Sequence, residues 1–146
     1  MTRIIPDPAV DPQVLMALQL VRAFIPPSLR ELRVEVLAPV EEGATLNLAE
    51  FHQHSGYMEA TLLVAPELSQ ESPESILQVL LHEIAHAHLH QLDELFHAMA
   101  IALPNKRARR ATTMIYKTMR EAAADGISYA VGDLLRANKP KEHPLW

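Results

Sequence analysis

Between residues 76 and 92 apolar side chains occupy almost every position: Ile76, Leu77, Val79, Leu80, Leu81, Ile84 and Leu89 leave little of a helical surface polar. A helix apolar nearly all round has to be buried. Ser72 stands where an N-cap belongs, Pro73 fits the first helical position and Glu74 complements the positive end of the helix dipole. Upstream, Asp11 and Pro12 open another helical stretch, in which Val14, Leu15, Ala17, Leu18, Leu20, Val21 and Phe24 fill one face until Pro26-Pro27 stops it. Between these two stretches the pattern turns to alternation. Residues 32–37 read as a strand ended by Pro39, Glu41-Glu42-Gly43 as a turn, and residues 44–49 and 57–64 as further strands. Beyond the apolar helix, Leu92, Leu95, Phe96, Met99 and Ile101 carry the pattern to Pro104, with a break expected near Gln91. A last helix is expected over 106–137. There Ala111, Met114, Ile115, Met119, Ala122, Ile127, Ala130, Val131 and Leu134 recur at spacings of three and four, and Gly126 is expected to allow close approach to the apolar helix.

These elements predict a single α+β domain. Its parts are an N-terminal helix within 1–30, a small, mostly antiparallel sheet within 31–65, helices over 73–90 and 106–137, and an irregular tail from 138 to 146. A chain of 146 residues that is 49% hydrophobic buries roughly two thirds of its unfolded surface, enough for one core without staples. It has no cysteine, which excludes disulfides and thiolate metal sites. Any metal ligands must therefore be histidine or carboxylate. A formal charge of −5 argues against nonspecific nucleic-acid binding, and the cluster Lys106, Arg107, Arg109 and Arg110 reads as a solvated first turn. No signal-peptide-like stretch opens the chain, and nowhere do 18 uncharged apolar residues run together. A cytoplasmic location with no membrane partner is expected.

The chemistry concentrates in His82-Glu83-Ile84-Ala85-His86, an H-E-x-x-H pentad inside the apolar helix. Residues four apart share one helix face about 6 Å apart along the axis, so both imidazoles can reach a single tetrahedral cation with bonds near 2.1 Å. Glu83 stands beside them, placed to hold a zinc-bound water and take its proton. Polar groups on a buried helix need partners, because each unpaired one costs roughly 1–3 kcal/mol. For a third ligand, His90 lies about 12 Å up a continuous helix, out of reach. The metzincin extension H-E-x-x-H-x-x-G-x-x-H fails at Leu89 and Leu92. Glu121 borders the apolar stripe of the last helix and is expected to face the core. Asp125, one turn later, is placed to accept the spare ring N–H of a ligating histidine. His97 is the alternative third ligand if the helix bends back. An oxyanion donor is expected among Tyr116, Arg120 and Tyr129.

His82-Glu83-x-x-His86 followed by a helix with Glu121-x-x-Ala124-Asp125 resembles the gluzincin arrangement of thermolysin-like and ImmA/IrrE-like metallopeptidases. Residues 80–90 are particularly similar to the active-site helix of the ImmA/IrrE-like group, and residues 120–130 to its E-x-x-A segment. The likeness covers residues 57–136. It implies a zincin-like fold in which His82, His86 and Glu121 bind Zn²⁺, Glu83 is the general base and Asp125 orients a ligand from behind. It also implies a peptide or protein substrate paired along an edge strand beside the active-site helix, with residues 58–65 the nearest strand in sequence. The expected function is therefore that of a zinc metallopeptidase. Two alternatives stand beside it. One is a catalytically silent zincin-fold structural or interaction protein, virion-associated in a phage or prophage assembly, with the metal bracing its helices. The other, from the same resemblance, is a regulatory protease that cleaves a repressor.

Overall fold

A computed structural model describes residues 2–38, 47–54 and 58–138. Strand β1 (Arg3–Pro6) comes first, a four-residue segment too short for alternation to register in the sequence. Helix α1 (Pro12–Val21) follows with the expected start: the Asp11 carboxylate accepts from the Gln13 amide at 2.7 Å and Pro12 fills the first turn. A 3₁₀ turn (Arg22–Phe24) leads to β2 (Glu31–Val36), then β3 (Ala49–Gln53) and β4 (Glu59–Val64). After a second 3₁₀ turn (Pro66–Gln70) come two long helices, α2 (Pro73–Ala102) and α3 (Lys106–Ala137). Residues 41–46, which include the expected turn and half of the strand expected over 44–49, lie outside the described residues, as do Tyr57 and the tail beyond 138; of the other half only Ala49 is strand, as the first residue of β3.

The four strands order β1-β2-β4-β3, with β1–β2 and β2–β4 parallel and only β3–β4 antiparallel. A mostly antiparallel sheet is thus incorrect. Helix α1 is a crossover that returns the chain to the starting end of β1, so β2 must run alongside it in the same sense. Leu32 and Val34 of β2 and Ala60, Leu62 and Val64 of β4 point to one face, where they meet Val14, Ala17, Leu18 and Val21 of α1 and Ile76, Leu77, Leu80, Leu81 and Ile84 of α2. Arg33 and Glu35 take the opposite, open face. The result is one core between a sheet and two helices, with α3 packed on the outside of α2.

No break occurs near Gln91: α2 runs 30 residues without interruption. Neither glycine nor proline stands between Pro73 and Pro104, so nothing interrupts the backbone ladder. Only the first half of α2 lies on the body. Beyond His88 it projects with α3 as a two-helix arm. Most of the apolar stripe of α3 read from sequence is not its packing face: Met114, Ile115, Met119 and Leu134 are each more than half exposed, while Val131 does pack against the core. Helix α3 instead lies on α2 through Ala124, Ser128 and Gly132, spaced by four, because small side chains let two helix backbones approach closely. The glycine that matters is also a different one. A Cβ on Gly126 would meet nothing, whereas one on Gly132 would come within 3.2 Å of Gln78 Oε1. Among the described residues no helix is long and apolar enough to cross a membrane.

Candidate metal site

The buried half of α2 carries His82 and His86 one turn apart, and the small-residue contact brings α3 close enough for Glu121 to reach across. The Nε2 atoms of His82 and His86 lie 3.1 Å apart, and Glu121 Oε2 lies 3.4 Å from the first and 3.5 Å from the second. A cation bound tetrahedrally at about 2.1 Å holds its donor atoms roughly 3.4 Å apart, so the three atoms already have the spacing a metal demands. These three side chains could hold a metal ion.

The surroundings prepare the donors. His82 Nδ1 lies 2.9 Å from Asp125 Oδ1, a contact that places the proton on Nδ1 and leaves the Nε2 lone pair facing the cluster. Asp125 and Glu121 share α3, one turn apart, so one helix supplies both a donor atom and the support behind another. His86 is almost fully buried; this burial, followed by the nearby Arg120 guanidinium, holds its pKa below the usual histidine value. Its Nδ1 has no partner among the described residues. Glu121 differs from the sequence expectation, being more than half exposed, with Arg120 Nη1 3.4 Å from Oε1. The alanine, serine and glycine stripe takes the face against α2, which leaves Glu121 on its flank.

Glu83 lines an open cavity of about 340 Å³ together with His82, Asp125, Tyr129 and the segment Asn47 to Ala49. Burial pushes its pKa up to about 7; His82 and the Phe51 main-chain amide oppose this, while Glu121 and Glu50 reinforce it. The wall opposite α2 is therefore β3, and the strand expected to border the site is corrected accordingly. Strand β4 is internal, paired on both sides, whereas among the described residues β3 is an edge strand and packs against α2. Sequence proximity to α2 pointed to β4, but a strand's place in the sheet is set by pairing across the whole chain.

Of the three candidate donors for an oxyanion, Tyr116 donates to Asp93 Oδ1 at 2.5 Å, and its pKa is pushed up to about 12 by burial and by that carboxylate. Arg120 Nε lies 2.9 Å from the same carboxylate. Asp93, which the sequence pattern did not single out, thus ties α2 to α3, helped by a Phe96–Tyr116 stack at 4.0 Å. No local pattern marks it, because Glu94 stands beside it and its partners lie more than twenty residues further along the chain. Tyr129 is the candidate that lines the cavity. His97 does not join the cluster: on unbroken α2 it lies about 16 Å beyond His86 and borders a separate hollow with Phe96 and Lys117. His88 donates to the Phe24 carbonyl at 2.6 Å, His90 lies 3.5 Å from Glu94, His52 lies 3.1 Å from Glu50 and His54 lies 3.1 Å from Thr61, so none of these four faces the cluster. His143 lies outside the described residues.

Comparison with known protein families, curated proteins and solved structures finds no match to this chain. What fold and site define together is an α+β domain with a four-stranded mixed sheet, in which two packed helices gather a His-His-Glu group able to hold a metal ion.

Proposed function

We propose that this protein is a zinc-dependent metallopeptidase of gluzincin type, with a zincin-like fold. The observation that carries the reading is the spacing of His82 Nε2, His86 Nε2 and Glu121 Oε2, at 3.1, 3.4 and 3.5 Å, with Glu83 on the wall of the cavity beside them. Two imidazoles and one carboxylate are a donor set that suits zinc and leaves a fourth position open. Zinc held there supplies a Lewis acid that polarises a carbonyl and acidifies water. Glu83 accepts the proton of the attacking water and returns it to the leaving amine. Asp125 keeps the His82 ring oriented, and the exposed edge of β3 offers main-chain groups along which an extended peptide can lie across the cavity. Tyr129, which lines the cavity, is the side chain assigned to donate to the oxyanion in this reading.

The test joins metal analysis to hydrolysis of an unfolded protein substrate. Wild type and His97→Ala are expected to retain zinc, and Glu121→Ala to lose it. Glu83→Gln is expected to keep the metal while cleavage falls by roughly 10²–10⁴-fold. Unchanged cleavage by Glu83→Gln sinks the general-base assignment, and full zinc content in Glu121→Ala sinks the ligand set. Zinc retained by wild type without any hydrolysis would support the bracing role instead.

A further inference from the structure

The arm formed by the second half of α2 and the first half of α3 has an apolar side that no other element among the described residues covers. Leu92, Leu95 and Met99 on α2 are 53%, 58% and 57% exposed, and Ile115 and Met119 on α3 are 60% and 61% exposed. Their order follows a pattern. Leu92, Leu95 and Met99 step by three and four, continuing the line of Leu81, Ala85 and His88, which the body covers as far as the His88–Phe24 contact. On α3, Ala108, Ala111, Ile115, Met119 and Ala122 make a second such line. At about 100° per residue both lines lie roughly a quarter turn from the α2–α3 contact, and because the helices are antiparallel they fall on the same side of the arm. The face that is core in the body therefore emerges into solvent and is joined there by a matching stripe.

We infer that this face binds a second copy of the chain, two arms crossing antiparallel about a twofold axis to make a four-helix bundle. Area is the first argument. Five long apolar side chains, each more than half exposed, offer on the order of 500 Å², at the upper end of what a monomer leaves open. The intervening alanines bring this towards the roughly 800 Å² per partner that a stable dimer buries. Charge is the second. The arm carries Lys106, Arg107, Arg109, Arg110, Lys117 and Arg120 against Asp93, Glu94 and Glu121, while the chain as a whole has 13 basic and 18 acidic residues. The body is thus strongly acidic. Arms pointing in opposite directions set each basic tip against the partner's acidic body, so the surface is complementary to itself, as an isologous contact requires. A two-helix arm alone cannot bury two faces of each helix, whereas four helices can.

Sedimentation equilibrium of the purified protein tests this, since each chain has a mass of 16.3 kDa. The wild type is expected to sediment at twice that mass, and Leu95→Glu and Met119→Glu at the monomer mass with unchanged helical circular dichroism. Met114→Glu, 71% exposed but outside the stripe, is expected to remain dimeric. A wild type that stays monomeric at every concentration overturns the inference, as does a dimer indifferent to both stripe substitutions. Binding of a monomeric wild type to vesicles of anionic lipid would overturn it in favour of a membrane surface.

Discussion

Asp125 shows how little a surface ion pair can mean for stability and how much for a metal site. The carboxylate is more than half exposed, and a contact of this kind with His82 at 2.9 Å contributes at most about 1 kcal/mol to folding. Its consequence lies in the tautomer. With the proton fixed on Nδ1, the Nε2 lone pair stays aimed at His86 and Glu121; without Asp125 the ring is free to protonate the other nitrogen or turn. Asp125→Ala is therefore expected to weaken zinc affinity about 10–100-fold in a competition titration against a chelator. Metal-free stability should change little. Equal affinity in the two proteins would make the contact incidental. At this scale the one-turn pairing of His82 with His86 followed from spacing, whereas Glu121 was set beside them by the resemblance, with His97 as the alternative, and was expected to face the core rather than stand more than half exposed. Asp93 and the edge segment Asn47 to Ala49 were not readable, because neither belongs to a local repeat and each matters only through a partner distant in the chain.

At the scale of an element, α3 is the informative case. Its bounds, Lys106–Ala137, agree with the pattern, but the face it buries does not. Helical periodicity shows that a stripe exists; it cannot say whether that stripe meets the same molecule, another one or water. Here the contact with α2 goes to Ala124, Ser128 and Gly132, held by Gln78 Nε2 donating to Ser128 Oγ at 2.8 Å. The two glycines of α3 make the difference measurable. Gly126 sits in an exposed helix interior with open space around it, so Gly126→Ala is expected to stabilise the protein by about 1 kcal/mol in chemical denaturation, the intrinsic helical preference alone. At Gly132 the same change meets Gln78 Oε1 at 3.2 Å, and the gain is expected to be smaller or absent. Equal gains at the two positions would mean that α3 rides further from α2 than described.

For the whole molecule, the ion would tie α3 to the body. Helix α3 touches the rest of the protein mainly through α2, and the His-His-Glu group bridges the two. A ligand that binds only the folded state at one hundred times its dissociation constant adds about 2.7 kcal/mol. In a chain of 146 residues each of those kilocalories raises the melting temperature by about 2–4 °C. Zinc at fixed protein concentration is thus expected to raise the melting temperature by several degrees, a chelator to reverse the rise, and Glu121→Ala to abolish it. A melting temperature insensitive to zinc would separate the cluster from metal binding.

Residue types and short-range spacing determined what is local: the caps Asp11 and Ser72, the start of α1, the extent of α3, and the pairing of His82 with His86 on one turn. Those features depend on interactions within a few residues, which the chain states directly. The tertiary structure decided the rest. It made the sheet mostly parallel, put β3 rather than β4 at an edge among the described residues, left α2 unbroken past Gln91, and turned most of the apolar stripe of α3 outwards. Each of these is settled by contacts between segments tens of residues apart, where burial and close packing outweigh local preference.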